Sequence, residues 1–207
     1  MQAWAGFAGA GAVAFAAVKG SNAFSVWRRQ KIEERRIEAA ERILALAYRL
    51  SRAISSIRHP MMWVGPLNEA EKRLREKGTE LDHMPDERRR RIIHAQAVFD
   101  RINSFKNEWD EVAEATPVAK ALFNDDVEQA LSKIWRQSHV VAAAAEGYVD
   151  DDGTDDDFSK RIRGDLWEAL GSVGKDSDEI SKTISECVQM IEIELVPVIR
   201  ADDIKRV

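Results

Sequence analysis

The chain has 207 residues, and its 31 Lys and Arg residues against 36 Asp and Glu residues give a formal net charge of −5. This length allows one domain with a sizeable core, and the negative charge excludes a general electrostatic attraction to nucleic acid, so no nucleic-acid partner is expected. Cys187 is the single cysteine, which excludes a framework of intramolecular disulfides and fits a reducing compartment.

The first predicted element is a membrane-spanning helix. Lys19 is the one charged residue between Ala3 and Trp27, and a helix from Trp4 to Trp27 would be roughly 34 Å long, enough to cross the ~30 Å hydrocarbon core with an indole ring near each interface. Basic residues follow directly, namely Arg28, Arg29, Lys31, Arg35 and Arg36. This asymmetry predicts residues 1–29 as an anchor in the cell inner membrane, residues 30–207 as a cytoplasmic helical bundle, and contact of the Arg28–Arg36 region with anionic lipid.

Two other interpretations of the same segment stay open. One is a cleaved secretory signal, although such a signal has its positive charge before the apolar run, and the other is an Ala/Gly-rich helix buried in the bundle. Small residues four positions apart also indicate a face on which two membrane helices pack closely: Ala5 with Gly9, Gly6 with Ala10, and Ala8 with Ala12. They predict a homo-oligomer, unless the Ala and Gly content reflects only a weakly hydrophobic span.

The remaining apolar patterns have helical spacing, and we find no convincing alternating strand. A long helix after the anchor ends at His59-Pro60, because the residue before a proline is unfavourable in a helix. Its heptad-like stripe is Ala40, Ile43, Ala47, Leu50, Ile54 and Ile57. An apolar turn at residues 61–64 leads into a short charged helix, capped by Asn68 and ending near Gly78.

Two further long stripes occupy the middle of the chain. The first is predicted as one helix with Ile92, Ala95, Phe99, Ile102, Trp109 and Val112 on its buried face. Thr116-Pro117 then indicates a new helix start, since proline favours the first helical position. The third long helix is predicted to end at Gly147 and buries Val127, Leu131, Ile134, Ser138, Val141 and Ala145.

An acidic loop at residues 149–157 separates this helix from two more. A short helix with Ile162, Leu166 and Leu170 should stop near Gly171 and Gly174. Asp176 or Ser177 caps the last helix, which Pro197 kinks or ends; its stripe is Ile180, Ile184, Cys187, Ile191, Leu195 and Val198. The predicted fold class is therefore all-α, with an N-terminal transmembrane helix followed by a long helix and an up-down helical bundle.

This layout resembles a group of proteins. The shared features are the apolar N-terminal span, Arg28-Arg29 with a charged helix, the segment from Glu87 to Arg91 leading into the segment from Ala97 to Asn103, and the segment from Ala119 to Phe123. The chain resembles uncharacterised single-pass, membrane-anchored α-helical proteins of bacterial and prophage genomes over most of residues 3–147. The resemblance implies a membrane-anchored helical bundle and transfers no catalytic residue.

Candidate metal sites are incomplete in the sequence. Glu80 and His83 have the Glu-x-x-His spacing of di-iron bundles, but no second pair exists, and Gly78 and Pro85 place this one in a loop. The acidic loop has the oxygen ligands that calcium uses, yet aligning Gly153 with the glycine of an EF-hand puts Tyr148 and Ser159 at the outer ligand positions. A solvated loop is the expected state, with a looser cation site as the alternative.

Other reactive side chains are isolated. The run Arg88–Arg91 suits either a solvated first helical turn or contact with lipid phosphate. Cys187 lies on the apolar face of the last helix and is interpreted as an inert core thiol. His59, His94 and His139 have no matching Cys or Asp in sequence. The sequence therefore assigns no catalytic, cofactor-binding or metal-binding residue and predicts no cofactor.

Two classes of function follow from these observations. The favoured one is a membrane-anchored helical interaction or sensor module without catalytic activity, which docks a protein partner at the cytoplasmic membrane face. The alternative is a tethered enzyme or divalent-metal-binding bundle of unknown substrate. The absence of a paired-carboxylate, Cys/His or phosphate-loop motif favours the first class.

Overall fold

The computed structural model describes residues 3–168 and 178–205, with side chains described for residues 24–168 and 178–200. Helices and one 3-10 turn make up the secondary structure of these ranges, as the predicted all-α class requires. They are α1 (Ala3–Arg58), α2 (Val64–Glu76), a 3-10 turn (Leu81–His83), α3 (Asp86–Ser104), α4 (Lys106–Leu122), α5 (Asp125–Asp150), α6 (Asp156–Leu166) and α7 (Glu179–Lys205).

The long helices form an up-down bundle, which confirms the predicted topology. α1 runs antiparallel to α4, because Arg42 bonds to Glu114 at 3.1 Å and the later Arg49 bonds to the earlier Glu111 at 2.5 Å. α1 also runs antiparallel to α7, and α5 packs between α7 and the pair formed by α3 and α4. The short helix α2 lies against α3, and the short helix α6 lies against α5.

The predicted stripes of α1, α5 and α7 supply much of the core, whereas Ile92, Phe99, Ile102 and Trp109 of the predicted middle stripe are only half-buried and the buried Val98 lies outside that stripe. All six stripe residues of α1 are at most 1% exposed, and the stripe residues of α5, including Ser138, are buried as well. The bundle encloses α1 from Ala40 to Arg58, whereas residues 24–33 of the same helix are exposed. The long helix and the predicted anchor are thus one continuous element of 56 residues.

The membrane prediction concerns the beginning of α1. Among the described residues, no helix is long and apolar enough to cross a membrane. Most of the anchor predicted at residues 1–29, and all the small-residue pairs between Ala5 and Ala12, lie outside the residues whose side chains are described.

The middle stripe is two helices rather than one. The chain leaves helical geometry at Phe105, and α4 begins at Lys106. The indole N–H of Trp109 donates to the Ile102 carbonyl at 2.9 Å, and the same carbonyl accepts the backbone N–H of Phe105 at 3.2 Å, so both bonds hold the junction of the two helices. Periodicity did not detect the break because the apolar side chains on both sides of it face the same core.

Pro117 lies inside α4, so the helix start predicted at Thr116-Pro117 is wrong. A proline cannot donate to the carbonyl four residues earlier. Here that carbonyl belongs to Ala113, which is exposed and can bond to water. Pro197 likewise lies within α7, four residues after the exposed Ile193, and does not end the helix.

Several predicted helix ends move by a few residues. α2 begins at Val64 rather than after Asn68, and α5 continues past Gly147 to Asp150. α6 ends at Leu166, while the predicted stop at Leu170 to Gly174 and the caps Asp176 and Ser177 lie outside the described residues. The carboxylate of Asp178 accepts the backbone N–H of Ser181 at 3.0 Å and so caps α7. The predicted ends of α1 at His59-Pro60 and of α2 before Gly78 are confirmed.

Candidate functional site

A groove of about 530 Å³ lies between α1 and α7, and we call it the α1–α7 groove. Both helices contribute because their buried stripes meet below it, and the polar residues beside those stripes form its walls. Its floor is apolar, with Ile54 and Ile184 buried and Val188 half-buried. The walls and ends are polar: Tyr48, Ser51, Ser55, Arg58, Glu168, Ser181, Ser185, Gln189 and Glu192.

Arg58 closes one end of the groove from inside the protein. Its side chain is 1% exposed, and every N–H of its guanidinium has a partner. It donates to the carbonyls of Gly164 (2.7 Å), Asp165 (2.9 Å) and Trp167 (3.2 Å), which lie at the end of α6. It also donates to Asp178 at 2.8 Å and to the Ser181 hydroxyl at 3.2 Å, at the start of α7.

These contacts join three helix ends. The carbonyls at the end of α6 carry the negative end of the helix dipole, which a buried guanidinium stabilises. In return the Arg58 carbonyl accepts the backbone N–H of Glu168 at 2.9 Å. Arg58 therefore fixes the position of Glu168 beside the groove and holds α7 against α1.

The carboxyl groups near Arg58 have opposite pKa shifts. Burial opposes ionisation of Asp178, but hydrogen bonds from Arg58 and Ser181 outweigh it, so the pKa of Asp178 lies below its ordinary value. Burial raises the pKa of Asp165, although the charge of Arg58 counteracts the rise. Arg58 and Asp178 thus form an internal ion pair whose charges largely cancel.

Glu168 and Glu192 mark the two ends of the groove. Ser55 donates its hydroxyl to Glu168 at 2.7 Å, and the hydroxyl of Tyr48 donates to Glu192. The bond to Glu192 raises the pKa of Tyr48, with burial adding to the effect. Among the described residues, neither glutamate forms an ion pair with Lys or Arg. The groove therefore presents two carboxylates whose charges no described cation balances.

The described lining residues combine hydroxyl, carboxylate and apolar groups and include no His, Cys or Lys. The hydroxyls of Ser55 and Ser181 donate to carboxylates that are themselves held in place. What the arrangement offers is an apolar floor, hydrogen-bonding walls and negative charge at both ends.

The Glu-x-x-His segment forms no metal centre in the described structure. His83 lies in the 3-10 turn, and Asp82 pairs with Arg75 at 2.8 Å. Within residues 24–168 and 178–200, no group of three or more His, Cys, Asp or Glu side chains could hold a metal ion. The position of Glu80 and His83 in a loop agrees with the sequence prediction.

The acidic loop uses its carboxylates for its own turns. Asp151 accepts from the Gly153 N–H at 3.0 Å and from the Ser159 hydroxyl at 2.5 Å. Asp155 caps α6 by accepting from the Phe158 N–H at 3.0 Å. The bond from Ser159, and to a lesser extent the bond from the Gly153 N–H, lowers the pKa of Asp151. Gly153 has φ +76°, a conformation that favours glycine.

The other residues singled out in the sequence are dispersed. Arg89 bonds to Glu71 at 2.6 Å, and Arg91 donates to the Asp151 carbonyl, so part of the basic run packs within the protein. Cys187 is 6% exposed, and burial raises the pKa of its thiol, as a core position implies. The imidazole of His59 accepts the Met61 N–H at 3.2 Å and shapes the turn after α1.

Sequence reasoning missed Arg58, Glu168 and Glu192. Arg58 had a detectable signal, because it follows Ile54 by four residues and so continues the buried stripe of α1 as a charged residue. No such signal marks the two glutamates, since their positions depend on contacts with residues more than a hundred positions away in the chain.

No protein-family model matches this sequence, and neither the curated proteins nor the solved structures compared with it include a match. The resemblance to single-pass helical proteins therefore stays a prediction from sequence layout.

Proposed function

We propose that this chain is a membrane-tethered helical interaction module, which holds its bundle at the cytoplasmic face of the membrane and docks a protein partner in the α1–α7 groove. The observation that carries the proposal is the continuity of α1. One helix begins in the apolar N-terminal sequence, passes through an exposed segment and then forms one wall of the groove.

The exposed segment has the composition of a membrane interface. Phe24 and Trp27 are 61% and 55% exposed, and their ring centroids are 5.8 Å apart. Arg28 and Arg29 follow and are exposed as well. Aromatic rings beside basic side chains are favoured at lipid headgroups, where the rings leave water and the cations meet phosphate. This supports an anchor that precedes residue 30.

The groove supports docking as the activity of the bundle. It combines a buried apolar floor with polar walls, the usual composition of a recognition site. Arg58 holds one end of the groove in a fixed arrangement, which reduces the ordering required there when a partner binds.

Membrane attachment can be tested with fusions after Val207. A fluorescent protein that folds in the cytoplasm should be active there, whereas a periplasm-dependent phosphatase at the same position should be inactive. The full chain should stay with the membrane fraction after an alkaline wash. Recovery in the soluble fraction, or an active phosphatase, would show that the tether is wrong.

Docking can be tested by site-specific photo-crosslinking in native membranes. A photoreactive residue replacing Gln189, on the groove wall, should give a discrete adduct with one protein. Gln129 is a matched control, because it is an exposed glutamine on α5 outside the groove. Identical adducts at both positions, or none at Gln189, would contradict docking in the groove.

A further inference from the structure

We infer that the α1–α7 groove binds an amphipathic helix whose basic side chains lie seven residues apart, one for Glu168 and one for Glu192. The inference rests on the proposed function and names the chemistry of the partner.

The spacing follows from the residues that hold the two carboxylates. Glu168 accepts from Ser55 and Glu192 accepts from Tyr48. Tyr48 and Ser55 are seven residues apart on α1, roughly 10 Å along the helix axis. Seven residues are close to two helical turns, so a second helix lying along α1 presents equivalent positions at the same interval. Lys or Arg at such positions would place one cation near each glutamate.

The charge of the groove favours a basic partner. Arg58 is the described cation that lines it, and its guanidinium is committed to Asp178 and to carbonyls of α6. Glu168 and Glu192 are half-buried, and each accepts a hydroxyl hydrogen bond that holds it in place. Carboxylates held in this way lose little side-chain freedom when they meet a cation, which favours a charge-assisted contact.

The size and apolar base of the groove favour an amphipathic helix over an aliphatic diamine as its ligand. The apolar residues of the groove are Val188, which is half-buried, and Ile54 and Ile184 beneath it, which are 1% and 6% exposed. Ser51 and Ser185 have short side chains and leave room above them. An amphipathic helix would bury its apolar side chains on this floor while its basic residues meet the ends, as in other helix-in-groove interactions. An aliphatic diamine could reach both carboxylates but would fill little of a groove of about 530 Å³.

The test uses the full chain in detergent micelles and two labelled helical peptides of equal composition. One has its two Lys residues seven positions apart, and the other has them four apart. Fluorescence anisotropy should show that the first binds about tenfold more tightly. Glu168→Gln and Glu192→Gln should each weaken its binding by up to about fivefold, as expected for loss of one partly exposed ion pair, and added salt should reduce the difference.

Matched variants distinguish charge from folding. Glutamine keeps an oxygen that can accept from Ser55 or Tyr48, and circular dichroism checks that each variant stays helical. Glu186→Gln, an exposed position of α7 outside the groove, should bind as the unchanged protein does.

Equal affinity for the two peptides, or unchanged binding by the double glutamine variant, would overturn the inference. So would an aliphatic diamine that binds as tightly as the peptide with the same dependence on both glutamates, since it would assign the groove to a small cation. If a Gln189 adduct persists in any of these cases, docking stands and only the basic helix is wrong. If the adduct is also absent, the proposed function fails with it.

Discussion

Arg58 shows how one buried charge can determine where helices meet. A buried cation stabilises a protein only where its desolvation is offset by good hydrogen-bond geometry, and removing a partner from such a group is costly. The acceptors of Arg58 come from α6 and α7 while the side chain belongs to α1. The planar fork of the guanidinium reaches all of them at once.

Arg58→Lys should therefore destabilise the protein by about 3 kcal/mol, although the charge is kept, because an ammonium group cannot reach acceptors in so many directions. Urea unfolding followed by circular dichroism measures the change. Arg52→Lys, an exposed change on the same helix, should have almost no effect. Equal stability of the two variants would show that the geometry of Arg58 is unimportant.

Gly147 permits the close approach of α6 to α5. A Cβ atom added there would lie 2.8 Å from Cδ1 of Ile162, a buried side chain. Gly147→Ala should cost about 1 kcal/mol through this overlap. In an Ile162→Val background, which removes that methyl group, it should instead stabilise the helix by a few tenths of a kcal/mol or more.

The original protein, the two single variants and the double variant form a double-mutant cycle. Thermal unfolding of these four proteins measures the coupling between positions 147 and 162. Gly164→Ala is the control, because an added Cβ there meets nothing within 4 Å, and it should raise stability in either background. If Gly147→Ala changes the stability equally in the original protein and in the Ile162→Val background, the contact between position 147 and Ile162 does not limit helix packing.

At the scale of whole helices, neighbouring residues on α5 have opposite roles. Ile134 is completely buried, whereas Trp135 is 39% exposed. Ile134→Asp should lower the free energy of unfolding by more than about 4 kcal/mol, because a carboxylate would enter the apolar core. Trp135→Asp should cost about 1 kcal/mol. A small effect at Ile134 in chemical unfolding would show that the buried face is assigned wrongly.

The helices could be predicted from the sequence because periodicity reports burial directly. Each stripe, such as Ala40 to Ile57, was found because residues three or four apart share a face. The break at Phe105 was missed because the stripe continues across it, and Pro117 was misread because its lost hydrogen bond falls at Ala113, an exposed residue of α4. The groove could not be predicted, since pairing α1 with α7 depends on contacts across most of the chain, such as Ser55 with Glu168.

For the whole molecule, ion pairs between helices predict sensitivity to acid. Hydrogen bonds from Arg75 and Arg89 lower the pKa of Glu71. Burial opposes ionisation of Glu111, but bonds from Arg42 and Arg49 outweigh it and lower its pKa too. A lowered folded-state pKa stabilises the protein above the unfolded values of 4.5 for Glu and 3.8 for Asp, and this stabilisation is lost as the pH falls through the folded values.

The midpoint of urea unfolding should therefore be steady near neutral pH and fall steeply below about pH 4. Asp178→Asn should be less stable near neutral pH and should lose less on acidification, because one of the titrating carboxylates is gone. Asp165, with its raised pKa, acts in the opposite direction and reduces the slope. A midpoint independent of pH down to pH 3 would contradict this account.

The continuity of α1 also sets the direction in which a tethered bundle faces. Each residue of an α-helix turns the chain by about 100° and advances it by about 1.5 Å. For the proposed tether, the number of residues between Trp27 and Ala40 would set both the distance of the groove from the lipid and its rotational orientation about the helix axis. One residue inserted among the exposed residues 28–33 would precede the contact of Arg36 with Phe123, and it would rotate the groove by about 100° relative to the proposed anchor, away from a partner that is itself fixed in the same membrane.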